Sequence, residues 1–374
     1  DTYLKNQCKK PCGIISGIKI FDVVKEEKSK LTTPEAIPLY KSLSRAVENG
    51  LEYMIIEVSS QALKYLRINN VHFEKAAFLN IGDDHVSDIE HPSFEDYFES
   101  KLKLIDLADN FIYNIDMEYA KEIQARIDAN KIKYQTFSLE DKRSDIHVTN
   151  LELKDLHTKF QIEYKGISEE YSIFQPGHYN VENALAAILF AKHFNLDYDS
   201  IKKGLEKVRV EGRDEFLISE DKNLIVWVSY AHNGLSFEKS FELINEQFQD
   251  FKIISMFGGS GNRAKVRMEE ITHIGAQHSD LVLVVPDDPG TVAYDLIVNE
   301  MKEIIESYGT KYEIYQTRKD GIRRAFDLVD GKTLLFLAGK GNDAYNFIDG
   351  QYIDIESDLE LATKYLEEYN KSVN

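Results

Sequence analysis

The chain has 374 residues, of which 43% are apolar, and this is enough for about two domains with substantial cores. Its formal net charge of −19 argues against nucleic acid as a partner. No stretch approaches the roughly 18 uncharged apolar residues of a transmembrane span, and the start shows no signal-peptide core. Cys8 and Cys12 belong to no Cys or His cluster, which is typical of a reduced cytoplasmic protein.

The first predicted elements are a strand at residues 14–24 and a helix that ends near Glu48. Thr33 is a suitable N-cap for this helix, and Pro34 suits its first position because no backbone N–H is needed there. Asn49-Gly50 supplies the signal that ends the helix.

Polar residues follow two short apolar runs. In an open α/β sheet, polar residues that follow buried strands lie at the ligand-binding edge. Tyr53–Ile56 leads to Glu57, and Ala76–Leu79 leads through Asn80 to His85. If the two strands are neighbours, Glu57 and His85 lie at one edge of the sheet. The alternative is that Glu57 caps the next helix and His85 is a loop residue.

The remaining elements predict an α/β fold in two domains, at residues 1–210 and 211–374. In the first, a helix through Lys101 and a mostly parallel sheet precede an antiparallel annex, because residues 145–174 alternate with period two. A long Ala-rich helix opens after Pro176. The second domain reads as a Rossmann-like doubly wound sheet with strands at residues 224–228, 253–257, 281–285, 312–315 and 333–337.

Three segments of the central stretch closely resemble the Mur ligases, above all the MurE type. They are Glu57-Val58-Ser59-Ser60-Gln61-Ala62-Leu63, the run from Asn80 to His85, and the Tyr97-x-x-x-Lys101 pair. The resemblance spans essentially the whole sequence. It implies a central ATPase-like domain, a C-terminal Rossmann-like domain, and ATP-driven amide-bond formation through an acyl phosphate.

The resemblance also implies a magnesium site and a substrate site in the first domain. Glu57, His85 and Lys101 would hold Mg²⁺, with Lys101 carbamylated, since an unmodified ammonium repels a divalent cation. Ser59 and Arg67 would contact the nucleotide-sugar peptide substrate. Without the family pattern, Lys101 reads as a solvated helix lysine.

The same resemblance places ATP contacts along the rest of the chain. Asn180 and Asn183 would contact adenine from one helix face, although helix capping alone would account for Asn180. Arg213 would clamp the terminal phosphate. The D-Y-A-H-x-P motif is weakened, because its ribose-binding aspartate is Ser229, whereas His232 is retained.

The amino-acid site departs most from the family. The D-N-P-R motif, whose arginine reads the distal carboxylate of diaminopimelate, appears as Asp287-Asp288-Pro289-Gly290. Asp287, Asp288 and Asp343 favour an amino acid that ends in an ammonium, such as lysine, unless they only form turns. The alternative is that Arg263, Arg267 or Lys340 replaces the missing arginine. We expect a cytoplasmic monomer acting on small molecules, without nucleic-acid or membrane partners.

Three functions are compatible with these motifs: a cell-wall precursor ligase, a relative that elongates another carboxylate such as a polyglutamate, and a degenerate ligase that serves as a scaffold. Glu57, His85, Lys101 and Arg213 favour an enzyme. Ser229 and the absence of a Walker A loop, G-x-x-x-x-G-K-[ST], favour the scaffold.

The missing Walker A loop gives a first prediction. In the family this loop precedes the segment matching Gly13–Gly17, so the sequence is expected to begin downstream of it and of the nucleotide-sugar domain. We expect the chain as given to bind ATP weakly, because no loop cradles the β- and γ-phosphates. Titration calorimetry measures this directly. Sub-micromolar affinity would show that the phosphate site lies elsewhere.

Overall fold

The computed structural model describes residues 12–82, 86, 90–154, 156–209, 213–261 and 265–373, with the side chain of residue 265 left out. The chain folds into two compact units: of the described residues, 12–82 and 90–209 form the first, and residue 86 with residues 213–373 forms the second. The predicted boundary between residues 210 and 211 itself lies outside the described residues. No described helix combines the length and the apolar character that crossing a membrane requires.

The first unit opens with a four-stranded sheet made of β1 (Cys12–Ile15), β2 (Lys19–Phe21), β3 (Glu26–Lys28) and β4 (Tyr53–Ile56). The strand order is β3-β2-β1-β4, with β4 parallel to β1 and the other pairs antiparallel. The single strand predicted at residues 14–24 is therefore wrong. Ser16 turns the chain, because its N–H donates to the Lys19 carbonyl at 3.0 Å and its hydroxyl accepts from the Ile18 N–H at 3.2 Å.

The helix after this meander, α1 (Ala36–Glu48), begins later than predicted, with Glu35 at the N-cap and no side-chain cap bond. The capping role predicted for Thr33 is wrong because its hydroxyl is used elsewhere. It donates to the Glu57 carbonyl at 2.8 Å and accepts from the Ser59 N–H at 2.9 Å. The predicted end is confirmed, since Gly50 follows with φ +73°.

A second, six-stranded sheet contains β5 (Ala76–Phe78), β6 (Asn110–Asn114), β7 (Lys133–Ser138), β8 (Ile146–Lys154), β9 (His157–Tyr164) and β10 (Ile167–Ile173). Its order is β10-β9-β8-β7-β6-β5. The strands from β5 to β8 are parallel, and β8, β9 and β10 are antiparallel. The predicted antiparallel annex is therefore confirmed.

The two sheets are joined by side-chain packing from the helices α2 (Ser60–Lys64) and α3 (Phe94–Asp106). Leu63 of α2 and Leu104 of α3 pack in one apolar cluster with Ile15, while Tyr97 of α3 packs in another with Phe78. The expectation that β4 and β5 are neighbours is wrong, because each forms the edge of a different sheet. Packing rather than a strand ladder thus relates the exit of β4 to that of β5.

The other helices of this unit are α4 (Ala120–Asn130), α5 (His178–His193) and α6 (Tyr198–Lys207). The long helix predicted after Pro176 is confirmed as α5. Its residues Ala184, Leu185 and Ile188 pack against Phe160 and Ile112 of the sheet. The small alanine side chain lets the helix lie close to the strands.

The second unit is a doubly wound sheet of β11 (Glu215–Ile218), β12 (Leu224–Ser229), β13 (Lys252–Phe257), β14 (Leu281–Val284), β15 (Lys311–Ile314) and β16 (Thr333–Ala338). The order is β11-β12-β16-β13-β14-β15, and only β11 runs antiparallel to its neighbour. All five strands predicted for this unit are confirmed. The sequence did not predict β11, nor a hairpin of β17 (Tyr345–Ile348) and β18 (Gln351–Asp354).

Helices α7 (Gly234–Gln247), α8 (Lys265–His278), α9 (Tyr294–Tyr308), α10 (Arg318–Asp327) and α11 (Asp358–Val373) complete the unit. Arg318 and Asp358, the first residues of α10 and α11, form a buried ion pair. Nε of Arg318 donates to Oδ1 of Asp358 at 2.8 Å, and its Nη2 donates to Oδ2. Burial works against the guanidinium charge, but the carboxylates of Asp358, Asp287 and Asp288 together raise the pKa of Arg318.

We predict that Asp358→Ala lowers the free energy of unfolding by about 3–5 kcal/mol, because Arg318 is left as a buried charge without its partner. Glu368→Ala is the matched control, since it breaks the exposed ion pair between Glu368 and Arg323. Water screens that pair, so its loss costs far less. Urea unfolding followed by circular dichroism measures both variants, and equal losses would contradict the prediction.

Candidate active site

Glu57 leaves the carboxyl end of β4 with its carboxylate held in place. The Gly17 N–H donates to Oε2 of Glu57 at 2.9 Å, and the Glu57 N–H donates to the Ile15 carbonyl at 2.8 Å. The residue is nevertheless exposed. A fixed, solvent-facing carboxylate at a strand exit is suited to bind a cation or a cationic group.

Thr33 connects the backbone at Glu57 and Ser59 to the side chain of Arg67. The Ser59 hydroxyl accepts from the Ala62 N–H at 3.2 Å and so caps α2. Arg67 donates from Nη1 to the Thr33 carbonyl at 3.3 Å and pairs with Glu35 through Nη2 at 2.8 Å. The structure therefore brings Glu57, Ser59 and Arg67 together. Their predicted substrate and metal roles stay predictions.

Lys101 lies on α3 near the end of β5. Its Nζ is 5.0 Å from the ring centroid of Tyr97 and 5.7 Å from that of Phe78, the last residue of β5. Aromatic faces attract an ammonium, so the unmodified side chain suits this position but not a metal site. His85, the third predicted ligand, lies outside the described residues. Within the described part of the chain, no three His, Cys, Asp or Glu side chains form a metal-binding group.

The predicted adenine contacts stand at the start of α5. Asn180 donates from Nδ2 to the Pro176 carbonyl at 2.8 Å, whereas Asn183 is exposed. The capping role weighed as the alternative for Asn180 is wrong, because Gly177 is the N-cap of α5 and this helix start has no side-chain cap bond. Between them in sequence, Glu182 accepts from Nδ2 of Asn114 at 3.2 Å. Because Asn114 ends β6, this bond fixes the start of α5 beside the carboxyl end of a parallel strand, where α/β sheets bind ligands.

In the second unit, the predicted nucleotide contacts gather at the exit of β12. The guanidinium carbon of Arg213 stands 4.8 Å from the ring centroid of Tyr230, and Arg213 is exposed. His232 donates from Nδ1 to the Tyr230 carbonyl at 2.7 Å, because a carbonyl oxygen can only accept. Stacking and this hydrogen bond orient both side chains.

Ser229 is buried, and its hydroxyl donates to Oδ1 of Asp214 at 3.1 Å. Asp214 also accepts from Nε1 of Trp227 at 3.1 Å. A carboxylate therefore lies next to the serine that replaces the motif aspartate. Sequence reasoning missed Asp214, although its place directly after Arg213 could have drawn attention to it.

The predicted amino-acid residues meet between the loops after β14 and β16. Nζ of Lys340, a buried side chain, lies 2.5 Å from Oδ1 of Asp288 and 3.8 Å from Oδ1 of Asp287. Burial raises the pKa of Asp287, while Lys340 acts in the opposite direction. Asp343 lies beside Tyr345. The pKa of Tyr345 is raised mainly by burial and, to a smaller extent, by Asp343.

Asp288 is thus paired within the protein, since its Oδ1 also accepts from the Phe347 N–H at 2.8 Å. The sequence treated Asp287, Asp288 and Lys340 as separate charges, and Lys340 as a substitute for the missing arginine. Its ion pairs show that this cation already has anionic partners. Of the other two suggested substitutes, Arg267 is buried, and Arg263 lies outside the described residues.

Gly290, at the position of the family arginine, is held in place by two hydrogen bonds of its backbone. Its N–H donates to the Phe347 carbonyl at 2.9 Å, and its carbonyl accepts from the Asp349 N–H at 2.6 Å. The hairpin is therefore attached to this loop by a β-bridge between Gly290 and Ile348. No side chain projects from this position towards a ligand.

Arg318 was also missed by sequence reasoning. Besides its pair with Asp358, it donates from Nη2 to the Ala338 carbonyl at 2.9 Å and from Nη1 to the Pro286 carbonyl at 3.4 Å. It thereby connects the loops that carry Asp287 and Lys340. A positive charge in the first turn of a helix is unfavourable, because it opposes the helix dipole. This unfavourable position could have indicated that Arg318 has a tertiary partner.

Comparison with known proteins covers both units of the chain. Residues 2–191 match the family model of the Mur ligase middle domain, and residues 212–341 match that of the Mur ligase glutamate ligase domain. The UDP-N-acetylmuramoyl-L-alanyl-D-glutamate--L-lysine ligase of Streptococcus pyogenes serotype M1 is 34% identical over 342 residues, which are 91% of this chain and 68% of that enzyme.

Two solved structures share the fold. A UDP-N-acetylmuramoyl-L-alanyl-D-glutamate--2,6-diaminopimelate ligase superposes with a TM-score of 0.63 at 21% identity, over 98% of this chain and 74% of that one. The MurF ligase of Thermotoga maritima in complex with ADP gives 0.66 at 12% identity, over 100% of this chain and 76% of that one. The chain belongs to the Mur ligase family of ATP-dependent, amide-forming ligases.

Proposed function

We propose that this protein uses ATP to join L-lysine to UDP-N-acetylmuramoyl-L-alanyl-D-glutamate, a step of peptidoglycan synthesis. One observation carries the proposal: the Glu57 carbonyl, the Ser59 N–H and the Arg67 guanidinium all bond to Thr33 at the exit of β4. The sequence similarity to the streptococcal lysine ligase supports it.

The proposed reaction has two steps. A carboxylate oxygen of the glutamyl residue attacks the terminal phosphorus of ATP, and ADP leaves, so an acyl phosphate forms. The lysine amine then attacks the carbonyl carbon of this acyl phosphate. A C–N bond forms, the C–O bond to phosphate breaks, and inorganic phosphate and a proton are released.

In the first unit, Ser59 and Arg67 bind the nucleotide-linked peptide beside Glu57. Glu57, His85 and carbamylated Lys101 would hold Mg²⁺, which when bound offsets negative charge on phosphoryl oxygens. The exposed carboxylate of Glu57 fits this role. Lys101 fits it only after carbamylation, because the bare ammonium carries the wrong charge. Asn180 and Asn183 contact the adenine.

In the second unit, Arg213 binds the terminal phosphate with its planar guanidinium, which Tyr230 holds by stacking. His232 lies beside it, and Asp214 together with Ser229 contacts the ribose in place of the motif aspartate. Their hydrogen bond at 3.1 Å supports this substitution.

Lysine is favoured by the loops after β14 and β16. Gly290 offers no cation to a distal carboxylate, and Lys340 is already paired with Asp288. Asp343 is the group that binds the substrate ammonium, while Asp287 and Asp288 contribute through their ion pairs with Lys340. Because its proposed substrates are nucleotides, we place the protein in the cytoplasm. We also propose that it is a monomer.

We predict that Lys101→Ala lowers the turnover number at least about 100-fold, because the loss of a metal ligand exceeds the effect of losing an outer partner. Added short carboxylates should restore part of the activity by occupying the vacated space. Steady-state assays of amide formation in the full-length protein measure both effects, and ¹³C NMR after labelling with bicarbonate detects the carbamate.

Lys103→Ala is the matched control, since Lys103 is an exposed lysine on the same helix. It should retain normal turnover. A Lys101→Ala variant with near-normal activity, or wild-type protein with no carbamate signal, would contradict the assignment.

We also predict that lysine is used at least about 100-fold more efficiently than diaminopimelate, because a buried carboxylate without a partner costs several kcal/mol. Competition between the two amino acids, with the products separated by mass, gives the ratio of kcat/KM values. Equal or better use of diaminopimelate would contradict it and indicate another cation in the site.

A further inference from the structure

His91 stands where the two sheets of the first unit are joined, and its side chain is fully buried. Nδ1 of His91 lies 2.6 Å from Oδ2 of Asp96, and Nε2 lies 3.0 Å from the hydroxyl of Ser60. A carboxylate only accepts, so Nδ1 carries a proton and donates it to Asp96. Both ring nitrogens therefore have a directional partner on a different helix.

The two partners belong to the segments that carry the proposed metal ligands. Ser60 is the first residue of α2, three residues after Glu57. Asp96 lies in the first turn of α3, the helix of Lys101. The His91 ring also meets the Tyr97 ring edge-on at a centroid distance of 5.4 Å, and Tyr97 lies under Nζ of Lys101.

A second bond reinforces this connection. Lys64, at the end of α2, donates from Nζ to Oδ2 of Asp96 at 2.7 Å and to the Glu90 carbonyl at 2.9 Å. Two hydrogen bonds lower the pKa of Asp96, and the bond from Lys64 has a larger effect than the bond from His91. Asp96 is therefore a stable carboxylate that accepts from both segments.

This connection matters because β4 and β5 share no ladder. The apolar packing of Leu63 and Leu104 holds α2 against α3, but apolar contact is non-directional and permits small shifts. A buried hydrogen-bonded network, by contrast, selects one arrangement.

We infer that His91 is a positioning residue: through Ser60 and Asp96 it fixes Glu57 and Lys101 at the spacing that the metal site needs. The inference rests on the proposed function. It assigns no chemistry to His91, which is too deeply buried to touch a substrate. Ser60, His91 and Asp96 have the order of a hydrolytic triad, but the hydroxyl of Ser60 is buried and offers no access to an ester or amide.

The test is Ser60→Ala, which removes one hydroxyl and leaves His91 in place. Its matched control is Ser42→Ala on α1, because Ser42 is equally buried and its hydroxyl donates to the Asp22 carboxylate at 3.0 Å. The probe is Mn²⁺, titrated into the full-length protein and followed by electron paramagnetic resonance. Urea unfolding measures the stability of both variants.

We expect Ser60→Ala to bind Mn²⁺ about 10–100-fold more weakly, as when an outer partner of a metal ligand is lost. Ser42→Ala should bind Mn²⁺ as the wild-type protein does, at a similar loss of stability. Carbamate occupancy of Lys101, read by ¹³C NMR, should fall only in Ser60→Ala.

Equal Mn²⁺ affinity in the two variants would overturn the inference and leave His91 a purely structural residue. If Ser60→Ala does not fold, Asp96→Asn is judged by the same criterion. Failure of the wild-type protein to bind Mn²⁺ would overturn both the metal site and the inference. The amide-forming assay on the same wild-type sample shows separately whether the proposed ligase activity stands.

Discussion

The carboxyl edge of the sheet in the second unit depends on five charges, of which four are buried and one, Asp288, is partly buried. Arg318 and Lys340 are the cations, and Asp287, Asp288 and Asp358 are the carboxylates. Buried charges are stable only when they are paired and hydrogen-bonded, so each fixes the position of the next. The loops after β14 and β16 and the start of α11 are therefore held as one piece. A ligand that enters this edge meets a surface whose charges are already arranged.

The first unit is held together differently, because it contains two separate sheets. Its proposed site residues come from two sheets that share no ladder, and the Thr33 hydroxyl, the α2–α3 packing and the His91 hydrogen bonds hold the segments that carry them. In the second unit, β12, β16, β13 and β14 are adjacent parallel strands, so backbone hydrogen bonds do most of this work. Hence side chains relate the strands in the first unit, whereas in the second unit the backbone relates the strands and side chains fix the loops that follow them.

The sequence predicted what depends on local pattern. Period-two alternation gave β8, β9 and β10, and apolar runs gave the strands of the second unit. It failed where a side chain has a distant partner. Thr33 looked like a helix cap because its bond to Glu57 spans 24 residues, and Lys340 looked available because Asp288 is 52 residues away. The motifs located Glu57, Ser59 and Arg67, but nothing local marked His91, whose hydrogen bond to Ser60 spans 31 residues.

The backbone of Gly290 has a consequence for how amino-acid specificity diverges between such ligases. Its φ of +63° lies in the left-handed region, and both its N–H and its carbonyl are bonded to the hairpin. An arginine placed there keeps those bonds only by adopting a conformation that costs an L-residue about 1–2 kcal/mol. We therefore expect that a change of substrate at this position requires the loop and the hairpin to change together. A single substitution to arginine can supply the cation, but the conformation of the neighbouring backbone determines whether that cation reaches the ligand.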